Sequence, residues 1–230
     1  MHVLYYFCQK AMIRKEIRLL LQKEWRTEWR RKTAFYGLLL YVFCTSFVLY
    51  LVVKQIHPVL WNALFWILML FNALQAMSKS FVQEESGVNI FLYTQVSAVS
   101  VIVSKTIYNA VMMTVLSLLN YGFYAVIMGN PVQDTVIFVV NIILGSIAFA
   151  VVLTFIAALS SASAQQNSGL TAILGMPVFV PLLTVLIKVS KNAMDGLDRS
   201  LSYPHFLSLF AMIIAFLGTI LLLFPQIWKE

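Results

Sequence analysis

The chain reads as an all-α integral membrane protein: six transmembrane helices preceded by an interfacial amphipathic helix. Composition is the first reason. Of 230 residues, 61% are hydrophobic and only 11% charged, and mean hydropathy is +0.86. A soluble domain carries about 25% charged residues, so this chain has too little polar surface to clothe a water-soluble globule. The second reason is run length. Its apolar residues fall in continuous stretches near the roughly 20 residues that cross a hydrocarbon core of about 30 Å. The third is continuity itself. Backbone polar groups in lipid must be satisfied within a helix or a closed barrel, and unbroken rather than alternating runs exclude the barrel.

Residues 1–33 form a cytoplasmic N-terminal segment in this reading. Ile13, Ile17, Leu20, Leu21 and Trp25 recur at helical spacing, with Arg14, Lys15, Arg18 and Lys23 largely between them. That pattern suits a helix lying in the interface with its apolar side in the acyl boundary. Trp25 and Trp29 are placed to anchor at headgroup level. Residues 1–11 fit poorly, and Met12 is the natural start expected for this segment. The basic stretch is not followed by a short apolar run and a small-residue cleavage site, so no secretory signal peptide is read.

The transmembrane domain, 34–230, carries six spans: Ala34–Val53, Val59–Met77, Thr106–Met128, Thr135–Leu159, Leu170–Ile187 and Phe206–Phe224. Pro177 and Pro181 in the fifth remove helical donors and are expected to bend it, a shaping of packing being the simpler role. Orientation follows from lysine and arginine placement. All of the 16 basic residues except Lys54, Lys188, Lys191 and Arg199 fall on the side of the N-terminal segment. Both termini are therefore expected in the cytoplasm. The net charge of +7 then faces anionic lipid rather than nucleic acid.

Several chemistries are disfavoured. Cys8 and Cys44 fall in different compartments of this topology and form neither a disulfide framework nor a redox or haem-attachment motif. No phosphate-binding P-loop occurs, so any ATP dependence belongs to a partner chain. No acid or base sits near a span centre, which argues against a proton-coupled carrier or ion pump. Asn72, Asn120 and Asn141 either line a path or, as the favoured reading, hydrogen-bond between helices.

His57 and His205 lie at the outer ends of the second and sixth spans. Imidazole is a common axial ligand to haem iron and to metals, so these are the residues for haem contact. Simple interfacial residence is the favoured alternative. The external loop Lys188–Pro204 holds Asp195, Asp198 and Arg199 around an Asp-Gly turn signal. It reads as a solvated face ahead of a partner site. The cytoplasmic Ser160–Ser168 segment is small, polar and uncharged.

The longest interior loop, Ser80–Lys105, is chemically the richest. Glu84-Glu85 precede Gly87, and Val88, Phe91 and Leu92 make a short amphipathic stretch after them. Acids beside an interfacial helix suit a plug for a basic groove on another protein. A solvated spacer accounts for them equally well.

The basic elbow, six spans and an F-x-x-E/D-x-x-G pattern after the second span resemble an ABC-2-type transporter membrane subunit. More closely, KEWRTEWRRKTAFYGLLLYV, WNALFWILMLFNALQAMSKSF, GNPVQDT and SKNAMDGLD resemble the CcmB family, often called haem exporter protein B, from about Ile13 onward. One departure is Gln95-Val96-Ser97-Ala98, which lacks a proline often found there in ABC-2 proteins. The resemblance implies a non-enzymatic permease subunit in the bacterial inner membrane, supporting c-type cytochrome biogenesis by haem export or by release of a haem-loaded periplasmic chaperone. It implies a CcmA-like ATPase as partner, with CcmC-like and CcmD-like membrane proteins and, indirectly, a CcmE-like chaperone. Haem would be cargo, and ATP would act through the partner. The implied ATPase-docking residues are Phe81, Glu84, Glu85 and Gly87, the glycine allowing a turn at positive φ. A non-transporting scaffold and an ABC-2-type exporter of another substrate are the alternatives.

Overall fold

A computed structural model describes residues 15–26, 32–53, 57–82, 96–161 and 168–227. Residues 15–26 are helical (α1). Six further helices follow: α2 Lys32–Val52, α3 Pro58–Val82, α4 Ala98–Met128, α5 Thr135–Ser161, α6 Ser168–Met194 and α7 Tyr203–Ile227. A 3-10 turn over Arg199–Ser202 leads into α7. The described residues form an all-α protein. Among the described residues, five helices are long and apolar enough to cross a membrane, and Leu39–Val52 of α2 forms a shorter apolar stretch.

The order of the bundle follows from hydrophobicity. Helix α5 is apolar on every side, and a helix of that kind belongs in the interior. Of its apolar span 67% is buried, against 17% for α7. It packs against α3, α4, α6 and α7. Small residues let its neighbours approach: a Cβ on Gly145 would lie 2.9 Å from Leu186 Cδ2 and 3.2 Å from the Trp66 ring. Close approach through small side chains is the usual packing device where lipid removes the hydrophobic drive between helices.

Polar side chains tie α3, α5 and α6 together. The Leu186 carbonyl accepts from Asn141 Nδ2 of α5 at 2.9 Å and from Ser190 Oγ of its own helix at 2.7 Å. Trp66 Nε1 of α3 donates to Ser190 Oγ at 2.7 Å, and Asn62 Nδ2 donates to the Ile187 carbonyl at 3.2 Å. Helix α4 is joined to α5 by Asn109 Nδ2 donating to Thr154 Oγ1 at 3.1 Å. The bonding expected of Asn141 is thus found. Asn72 and Asn120 depart from it: both are buried, at 4% and 0% exposure, and neither amide atom has a partner among the described residues. Helix α6 runs through Pro177 and Pro181 as one element.

The helices overrun the sequence boundaries. Helix α3 continues through Ser80 to Val82, and α4 begins at Ala98 rather than near Thr106. The stretch read as a loop over 80–105 is therefore helical at both ends. The cause is Ser97, an N-cap in extended conformation (φ −69°, ψ 138°) whose hydroxyl accepts from Ser100 N. A serine cap starts a helix where hydropathy alone sees no span. At 31 residues and 1.5 Å per residue, α4 is about 46 Å long, more than the hydrocarbon core requires.

Candidate functional site

Phe81 lies in the last turn of α3, while Glu84, Glu85 and Gly87 fall outside the described residues. At the start of α4 is a junction that hydropathy reading missed. Glu16 Oε2 of α1 accepts from Ser97 Oγ at 3.0 Å and from Ser100 Oγ at 2.7 Å. The two hydroxyl oxygens lie 2.6 Å apart; each carries one proton, so a bond between them replaces one of the two to the carboxylate. A carboxylate thus sits over the first turn of α4, where the helix dipole and exposed donors favour negative charge. Beneath it Leu20 is buried with Val101 and half-buried Val96. Of the apolar side expected for α1, Ile17 and Leu21 are half-buried and Leu20 is buried, whereas Trp25 remains 49% exposed. The signal that would have found this junction is Ser97-x-x-Ser100 ahead of an apolar run, set against the one acid on α1 that is spaced to reach it.

The opposite end is tightly built. Trp61 Nε1 donates to the Gly129 carbonyl at 3.0 Å, and Tyr124 Oη donates to the Trp61 carbonyl at 3.2 Å. Trp61, Phe65, Tyr124 and Phe138 form a ring cluster with centroids 4.8–5.8 Å apart, in the tilted and offset range that aromatic pairs favour. Asp134 starts α5: its Oδ1 accepts from Val136 N and Ile137 N at 3.1 and 3.2 Å. Its Oδ2 accepts from Arg199 Nε at 2.8 Å. The Arg199 hydrogen bond, and then the Ile137 amide, hold the Asp134 carboxyl below its ordinary value. Arg199 is therefore engaged within the chain. The Asp-Gly turn is found as read, Gly196 adopting φ +65°.

His57 lies exposed just before α3, its carbonyl accepting from Trp61 N at 2.9 Å. His205 is half-buried in the first turn of α7. Both mark helix starts at this end, and no contact joins them. Among the described residues no group of three His, Cys, Asp or Glu side chains is placed to hold a metal ion. Cys44 is a free, exposed thiol in α2.

The helical bundle and the cap-and-clasp junction at one end fit a membrane subunit, and comparison with known families decides which. The family model described as CcmB protein matches residues 12–225. The chain belongs to the CcmB family. It is thus a membrane component of the haem-export ABC system of cytochrome c maturation, a kind of permease subunit that is generally non-catalytic. The CcmB family places it with an ATPase and other Ccm membrane proteins, as an integral protein of the bacterial inner membrane. No curated protein and no solved structure matches the chain.

Proposed function

We propose that this chain converts nucleotide-driven closure of a CcmA-like ATPase into movement of its helices, in support of haem export or release of a haem-loaded CcmE-like chaperone. The ATPase docks on the cytoplasmic side at Phe81, Glu84, Glu85 and Gly87, acidic residues meeting a basic groove. Both termini share that side, and CcmC-like and CcmD-like proteins flank the subunit in the bilayer.

The observation that supports this reading best is the clasp of Glu16 on Ser97 and Ser100. Phe81 lies in the last turn of α3, the other docking residues follow it in sequence, and α4 begins under that clasp. Displacement of the connecting segment is thus passed to the first turn of α4 and to α1 together. Behind them, α3, α5 and α6 share hydrogen bonds through Leu186 and Ser190. Packed elements of this kind move as rigid bodies rather than deforming continuously.

Charge reversal tests the docking claim. Glu84→Lys combined with Glu85→Lys should abolish co-purification of the ATPase in mild detergent. Retention at wild-type stoichiometry removes the proposed docking site. Trapping the complex with a non-hydrolysable nucleotide should alter the accessibility of α4 to water-soluble thiol reagents after cysteine placement. An unchanged pattern would favour a scaffold that binds its neighbours without moving.

A further inference from the structure

A groove of about 720 Å³ runs between α1 and α4. One stripe of α1 lines it with Arg18, Leu21, Trp25 and Arg26, and α4 supplies Ile107 and Val111. The stripe follows helical spacing (i, i+3, i+7, i+8), so these side chains share one face. The two walls stay together because Glu16 and Leu20 fasten α1 to α4 just before the groove opens.

Its chemistry is divided. Arg18 and Arg26 are both exposed, and no ion pair engages either among the described residues. Gln22 lines it one turn from each arginine, and the remaining lining is largely apolar. On α4 the apolar surface continues away from the groove: Ile107, Val111, Val115 and Leu118 are all exposed. Their spacing of four, four and three keeps them on one face of the helix. The site therefore has two cations at its mouth and an uninterrupted apolar track leading from it. A long apolar chain carrying a negative head matches both halves; a soluble anion would use only the mouth, and a neutral lipid only the track.

We propose that this groove is a specific site for an anionic phospholipid of the surrounding bilayer. The phosphate lies between Arg18 and Arg26, which offer planar donor forks suited to it. Trp25 sits at headgroup depth, and one acyl chain follows Ile107, Val111, Val115 and Leu118. Arginine near an anionic headgroup region gives roughly a fivefold preference each, hence roughly thirtyfold for two. The lipid would fill the side of the α1–α4 junction that the described residues leave open and so hold α1 at a fixed depth. This site stands whether or not the chain moves haem.

Native mass spectrometry of the full-length purified chain, titrated with phosphatidylglycerol or phosphatidylcholine, tests it. Phosphatidylglycerol should be retained roughly thirtyfold better. Arg18→Gln with Arg26→Gln should bring retention down to the phosphatidylcholine level. Val111→Trp should reduce it without changing charge, because the ring fills the groove on a face already exposed. Lys188→Gln with Lys191→Gln removes equal charge from the last turns of α6 and should leave retention intact. Equal retention of the two lipids overturns the proposal, as does an arginine variant that binds like the parent. So does binding that falls equally in the lysine control, which would mean charge without a site. If phosphatidylglycerol binds only after deletion of residues 1–11, the chain's own N-terminal segment is the occupant. If neither form binds lipid, the groove belongs to a protein partner. Either result refutes the lipid assignment.

Discussion

Truncating Glu16 to alanine isolates the junction between α1 and α4. The carboxylate accepts two hydroxyl hydrogen bonds, at 2.7 Å from buried Ser100 and at 3.0 Å from exposed Ser97. A hydrogen bond to a charged group contributes about 1.5–3 kcal/mol where it is well shielded. Two factors lower that figure here. Ser97 is in water, and the two hydroxyl oxygens lie 2.6 Å apart, so Ser100 donates to Ser97 once the carboxylate is gone and neither is stranded. We therefore take about 1–2 kcal/mol for the pair. That corresponds to roughly a five- to thirtyfold shift from docked to undocked α1. Hydrogen exchange followed by mass spectrometry, on the chain in lipid nanodiscs, reads it directly. Amides of residues 17–26 and 98–102 should exchange faster by that factor in Glu16→Ala, while those of central α5 keep the wild-type rate. Glu16→Gln, which retains an acceptor but no charge, should fall between. Leu20→Ala serves as the apolar control, since Leu20 is buried against Val101. Were Leu20→Ala to accelerate exchange while Glu16→Ala changed it less than twofold, packing alone would hold the junction and the clasp would carry no force.

Asn120→Leu should leave stability unchanged or raise it by up to about 2 kcal/mol, because neither amide atom is bonded among the described residues and the side chain is fully buried; a fall in the thermal midpoint in detergent refutes this. Trp66→Phe should cost about 1–3 kcal/mol through loss of the 2.7 Å bond to Ser190 and of ring volume. Thermal unfolding checks it, and a neutral result would mean the α3–α6 tie is redundant. Asp134→Asn should lower the midpoint at neutral pH. The Asp134 carboxyl is held below the ordinary aspartate value by Arg199 and the Ile137 amide. A depressed folded value stabilises fully above the unfolded one and is lost as pH falls through the folded one. The gap between wild type and Asp134→Asn should therefore be constant above about pH 5 and close below 3.8; a gap that widens on acidification contradicts the ion pair.

Hydropathy made the bundle legible because lipid imposes one requirement on every span, and a continuous apolar run answers it. It misplaced the start of α4 because a serine cap is a local hydrogen-bonding signal that a hydropathy window averages away. The Asp195-Gly196 turn was readable, since φ +65° is a conformation the dipeptide itself announces. Asn141 and Asn120 were not distinguishable in sequence. Each is an asparagine inside an apolar run, and only the rotation of the neighbouring helix decides that one meets the Leu186 carbonyl and the other meets no partner among the described residues. The Glu16 clasp was hidden for a further reason: its partners lie 81 and 84 residues away, and no local pattern encodes a contact at that range. Of the four residues expected to dock the ATPase, only Phe81 lies among the described residues.

The distribution of polar partners bears on what can move. Where α3, α5 and α6 meet, separating the helices would expose Asn141, Trp66, Ser190 and two carbonyls to lipid, and each lost bond carries a desolvation cost of about 1–3 kcal/mol. On the flank where α2, α3 and α4 pack, Ser46, Asn72, Ser117 and Asn120 are buried without partners among the described residues. A relative shift of those helices forfeits no side-chain hydrogen bond at these four positions, and any new partner it supplies is a gain. Away from the Trp61–Gly129, Tyr124–Trp61 and Asn109–Thr154 bonds, rearrangement is therefore less opposed on the side of the bundle that carries α4, the helix whose first turn lies under the Glu16 clasp. Replacing all four groups with apolar side chains of matching volume should remove that asymmetry. If α4 responds to nucleotide trapping equally in both forms, the unpaired groups are bystanders, and the proposed path of force must be sought in the α4–α5 contact through Asn109 and Thr154.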